Sequence, residues 1–221
     1  MQLTEVIDQL KQLSNPTHKE GMARFGIDAS RAIGVNIPQL RTLAKLHKKN
    51  HELALALWKT GIHEARLLAS MIDDPKQVTE EQFDSWTKDI YSWDLCDQTC
   101  SNLFQHTSYA ADKIIEYSTH PEEFIKRTSF VLMACAAVHN KKADNMLFLP
   151  FLDVIEREAY DERNFVKKAV NWALRQIGKR NSTLQQIAIE TARRIAQQPH
   201  KAAKWIAADA LRELENRKVK N

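Results

Sequence analysis

The chain has 221 residues, enough for one large domain or two small ones, and its 43% hydrophobic content supports a sizeable core. No apolar run approaches the roughly 20 residues of a membrane span, which excludes a membrane-spanning helix. The formal net charge of +4 is too small to name a partner by itself, and three cysteines without framework spacing argue for reduced thiols and a cytoplasmic setting.

Residues 1–13 read as an amphipathic helix with acidic residues, unlike a secretory signal. Helical periodicity then continues along the chain, with only five glycines and no convincing period-two alternation. About a dozen helices with short connections are expected. Pro38, Pro121 and Pro199 fit first-turn positions, where a missing N–H costs nothing. His63-Glu64 lacks a second histidine four residues on, so it is no zinc-protease motif. His63, His106 and His139 read as helix-end or surface residues. Thr79-Glu-Glu-Gln82 and Ser182-Thr-Leu-Gln185 have the pattern of capping boxes.

The stretch Tyr91-Ser-Trp-Asp-Leu-Cys-Asp-Gln-Thr-Cys100 is unusual. Ser92 can cap a helix on which Trp93 and Asp97 share a face one turn apart, continued by Cys100 and Phe104. In one reading Asp97 bonds a neighbouring helix end and Trp93 is core. In the other, Asp97 stands in a cleft walled by an aromatic ring, placed to stabilise a developing cation or orient a water. Cys96 and Cys100 lack a second ligand pair and read as buried thiols, so no metal is expected.

Pro150 should kink or split the helix over residues 144–160. Asp161 can cap the next helix, NFVKKAVNWALRQIGKR (164–180), with Gly178 and Asn181 placed to stop it. At 100° per residue, Phe165, Val166, Ala169, Val170, Ala173, Leu174 and Ile177 share the apolar side. Lys168, Arg175 and Lys179 form a stripe opposite, and Trp172 falls inside that stripe. Phe124-Ile-Lys-Arg127, Phe165-Val-Lys-Lys168 and Trp205-Ile-Ala-Ala208 start similar helices at spacings of 41 and 40 residues. A period near 40, with two helices per unit, fits a HEAT-like solenoid; a globular helical bundle is the alternative. Charge follows the second half: between Arg163 and Lys204 ten cations face one anion, Glu190, the footprint of a polyanionic partner.

Five stretches, "MARFGIDASRAIGVNIPQLRTLAK", "IHEARLLASMI", "SWDLCDQ", "FIKRTSF" and "NFVKKAVNWALR", resemble the HEAT-like-repeat DNA alkylation repair family, the alkylpurine DNA glycosylases of the AlkD type. The resemblance implies a single all-helical HEAT-like repeat domain over residues 1–221 with a concave basic face. It implies a monomer acting on double-stranded DNA, with neither cofactor, metal nor membrane. Its cleft residues fall on Trp93, Asp97 and Trp172. An arginine that holds the DNA backbone falls on Arg127, beside Lys126. Lys168, Arg175 and Lys179 are then expected to touch phosphates. The implied activity is hydrolysis of the N-glycosidic bond of cationic N3- or N7-alkylated purines. Relatives that lose cleft residues, and with them base excision, leave a second possibility: a non-catalytic HEAT-repeat protein that recognises bent or branched DNA.

Overall fold

The computed structural model describes residues 2–217, which contain 13 α-helices and no strand. None of these helices is long and apolar enough to cross a membrane. The chain forms two compact units, Met1–Tyr109 and Ala110–Asn221.

The first unit holds α1 (Gln2–Gln12), α2 (Pro16–Met22), α3 (Ile37–Leu46), α4 (His51–Lys59), α5 (His63–Ile72), α6 (Glu80–Lys88) and α7 (Trp93–Asn102). Its centre is α5, which packs against α3, α4 and α7 and is buried on nearly every side. A helix enclosed in this way must satisfy its own polar side chains. The Glu64 carboxylate accepts from the backbone N–H groups of Ile33 (2.9 Å), Gly34 (2.6 Å) and Val35 (3.2 Å), tying down the extended run before α3. Gly34 sits at φ 90°, and a Cβ there would lie 2.1 Å from the Asn15 carbonyl oxygen, so only glycine fits. Arg66 donates to the Trp58 and Asp89 carbonyls and to the Asp89 carboxylate, beside the stacked rings of Trp58 and Trp86.

The second unit holds α8 (Ala110–Tyr117), α9 (Glu123–His139), α10 (Leu149–Glu158), α11 (Asn164–Gly178), α12 (Ser182–Ala196) and α13 (Lys201–Glu215). α9, α11 and α13 follow one another as neighbours; α10 and α12 pack together behind them, and α8 backs α9. The repeat seen in the sequence becomes physical contact here. Phe124 stacks on Phe165 with ring centroids 5.6 Å apart, and Lys167 lies 5.2 Å from the Trp205 ring. Glu123 accepts from the Phe165 N–H (3.2 Å), and Glu162 accepts from the Ala202 N–H (3.0 Å). Each unit thus caps the first turn of the helix about 40 residues on, where a free N–H needs a partner.

Several local expectations shift. Pro150 does split its segment: a 3-10 turn over Asn145–Leu147 precedes α10, with Pro150 in the first turn. Pro38 lies in the first turn of α3, whereas Pro121 and Pro199 stand one residue before their N-caps. Thr79 caps α6, but the Gln82 amide donates to Asp73 rather than reaching back. Ser182 is not a cap; Asn181 takes that place, and Gln185 donates to the Leu214 and Arg217 carbonyls. Asp161 does not cap α11, because its carboxylate is occupied by Lys126 and Arg163. Gly178 is the last residue of α11, and its missing side chain makes room for Leu214, whose methyl carbons would lie 2.8 Å and 2.9 Å from a Cβ. All three cysteines are buried thiols outside any disulfide.

Candidate functional site

Ser92 occupies the N-cap position of α7, yet its hydroxyl donates to the Asp94 carboxylate (2.7 Å) and accepts from no backbone N–H of the first turn. Asp94 also accepts from Nε2 of His63 (2.8 Å), and the Tyr91 hydroxyl lies 3.0 Å from Nδ1 of the same ring. His63 is therefore no surface residue; it is fully buried at the start of α5 and welds that helix to α7. Burial works to raise the Asp94 carboxyl, but the His63 and Ser92 hydrogen bonds outweigh it and hold the group below its ordinary value. Burial pushes the Tyr91 hydroxyl up to about 12.

This network fixes the helix that carries Trp93 and Asp97. The α7 face runs from the core outward. Phe104 stacks on Phe83 inside, Cys100 is fully buried, and Asp97 and Trp93 are half-buried. Trp93 stays outside the core, and its indole N–H donates to the Phe25 carbonyl (2.9 Å), which holds the ring in one orientation.

Trp172 and the basic stripe of α11 belong to the second unit. Trp172 is half-buried. With the Gln176 amide oxygen turned toward its donors, it accepts from the Trp172 indole N–H (2.9 Å) and from Lys179 Nζ (3.3 Å). Lys168 is exposed and makes no ion pair among the described residues. Arg175 and Lys179 are already ion-paired: Glu213 of α13 accepts from both at 2.8 Å. One turn earlier, Asp209 accepts from Asn171 (2.6 Å). Burial alone would raise the Glu213 carboxyl, but Lys179 and Arg175 hold it below its ordinary value. Lys179 also lines a cavity of about 310 Å³ with Lys141, Arg180 and Arg217. Arg180 faces three carbonyls there, those of Ala137, Asn140 and Ala143.

The two residues of the "FIKRTSF" stretch differ from expectation. Lys126 is only 2% exposed, and its Nζ is gripped by Glu158 (2.8 Å) and Asp161 (2.9 Å). Its charge is consumed inside the unit, so it is not presented to a phosphate. Arg127 is 5% exposed and donates to the Phe165 carbonyl (2.6 Å), bridging α9 to α11. The window from Arg163 to Lys204 is also less basic in space than in sequence. Asp161 pairs with Arg163, Glu215 with Arg193 and Glu156 with Arg194, and all three acids lie outside that window.

A family model described as "DNA alkylation repair enzyme" matches residues 6–214. A solved structure described as "A new family of proteins related to the HEAT-like repeat DNA glycosylases with affinity for branched DNA structures" superposes with a TM-score of 0.79. That match covers 99% of this chain and 98% of the other at 20% sequence identity, a likeness of fold, and it makes the architecture HEAT-like. No curated protein matches. Because the family match begins within α1 and ends within α13, it takes in all 13 helices, and the chain belongs to the DNA alkylation repair enzyme family.

Proposed function

We propose that this protein is a monofunctional DNA glycosylase that hydrolyses the N-glycosidic bond of cationic N3- or N7-alkylated purines in duplex DNA. The observation that carries the reading is the pair on α7: a tryptophan and a carboxylate one turn apart, both outside the core, on a helix fixed by a buried network. An alkylated purine carries a fixed positive charge and leaves readily. The C1′–N bond breaks with its electron pair going to the base, which becomes neutral, and the sugar takes on oxocarbenium character. Water adds to C1′ and releases a proton. Asp97 stabilises the cationic sugar and orients that water. The indole face of Trp93, one turn from Asp97, packs on the deoxyribose, where an electron-rich ring favours positive charge. Lys168 contacts the DNA backbone, and Arg175 and Lys179 join it when a phosphate replaces Glu213. Such contacts set register without reading sequence.

Glu213 then competes with DNA. Glu213→Gln should tighten duplex binding and steepen its salt dependence, because each cation returned to a phosphate adds about 0.9 to the log–log slope. Fluorescence anisotropy titrations from low to high salt measure this, and an unchanged slope would place the DNA path away from α11.

The second reading is a binder of bent or branched DNA without base excision. The described affinity of the structural relative for branched DNA favours it. One experiment separates the two. A duplex carrying a single 7-methylguanine and an undamaged four-way junction are each incubated with the protein, and alkali-labile sites and affinity are measured together. The glycosylase reading predicts alkali-labile sites at the lesion. Tight junction binding without such sites would favour the second reading.

A further inference from the structure

We propose that the first turns of α11 and α13 form a stacking platform for unpaired bases of single-stranded DNA. This rests on the reading that the protein binds DNA, but not on base excision. Trp205 is 41% exposed and Tyr160 is 45% exposed, two of the few large apolar side chains open to solvent in the second unit. The Tyr160 ring lies 5.8 Å from that of His200, so the turns before α11 and before α13 meet here. The same first turns carry positive charge without an acidic partner. Lys168, Lys201 and Lys204 are exposed and make no ion pair among the described residues, and Lys167 is held over the Trp205 ring at 5.2 Å. The acids nearby are engaged. Glu162 caps α13 through the Ala202 N–H, Asp161 pairs with Lys126 and Arg163, and Asp209 pairs with Arg175 and Arg212.

Arg175 and Lys179 lie two to three turns further along α11 and are clamped by Glu213, so the same two helices pair their cations with acids in their later turns and leave them unpaired in their first. Aromatic faces interleaved with lysines suit single strands: the cations follow the backbone while bases stack on the rings, with little sequence preference. A duplex hides its base faces and gains nothing from Trp205. The platform therefore takes a strand that is displaced, frayed or unpaired.

The test is the affinity of the full chain for a fluorescent 20-nucleotide oligothymidylate and for an undamaged duplex of the same length, each titrated with salt. Wild type should bind the oligothymidylate, with binding weakened by salt. Trp205→Ala should weaken that binding roughly 5- to 150-fold, the value of about one stacked base. It should leave duplex affinity and excision from methylated duplex within twofold, and Trp205→Phe should restore most of the loss. Lys201→Ala with Lys204→Ala should lower the single-strand salt slope by about 1.4, a readout that does not depend on the tryptophan variant folding. Failure of wild type to bind the oligothymidylate, or wild-type affinity in both Trp205→Ala and the lysine pair, would overturn the platform. Neither result touches excision, and loss of excision with oligothymidylate binding intact would overturn the glycosylase reading alone.

Discussion

Asp97→Asn is expected to slow excision of 7-methylguanine by two to three orders of magnitude while the protein stays folded. Removing one group aimed at developing charge costs about 2.7–4 kcal/mol in barrier height. The substitution keeps the size and shape of the side chain, and Asp97 is half-buried on a helix that His63 holds through Asp94. Thermal unfolding should therefore change little. Single-turnover excision and circular dichroism on the same preparation check both halves. Excision at the wild-type rate would remove Asp97 from the mechanism.

Lys126→Ala should act the opposite way, with a large loss of stability and no change in DNA affinity per folded molecule. Removing one partner of a buried ion pair costs about 3–5 kcal/mol, because a carboxylate remains without compensation. Here the lower end applies, since Arg157 still reaches Glu158 and Arg163 still reaches Asp161. Acid should expose the same cluster. Burial alone would raise the Asp161 carboxyl, but Arg163 and Lys126 outweigh it and bring it down to about 2. A carboxyl depressed in the folded state contributes stability that is complete above its ordinary value near 4 and is lost as pH falls toward 2. Urea unfolding at pH 7 and pH 3 measures both effects, and the variant should show less of the acid-induced loss. Unchanged stability with weakened DNA binding would return Lys126 to the phosphate contacts.

The helical repeat was legible because its period is a local property. The Phe124, Phe165 and Trp205 starts recur at a fixed interval, and contacts about 40 residues apart follow from it. The α7 pair was legible for the same reason, since one-turn spacing on a helix is fixed by geometry. Charge is less legible in sequence, because an ion pair needs only proximity in space. Ten cations against one anion counts neighbours in sequence, whereas Arg175 and Lys179 meet Glu213 across α11 and α13. The repeat held the clue: Arg175 to Glu213 and Asn171 to Asp209 both span 38 residues, as does Arg127 to Phe165. Lys126 was hidden differently. An adjacent Lys-Arg pair on a helix points its side chains in different directions, and periodicity alone did not mark α9 as enclosed on most sides. His63 was invisible as a partner of Asp94, because they lie 31 residues apart without a shared motif.

Cleavage of the glycosidic bond is measured most directly by chromatography of the free base released in single turnover. Protein in excess is mixed with duplex DNA carrying one 7-methylguanine, and released base is followed against the spontaneous rate. A glycosylase releases 7-methylguanine well above that rate and leaves an abasic site in an unbroken strand. Release no faster than in buffer, from protein that binds the duplex, would contradict that activity.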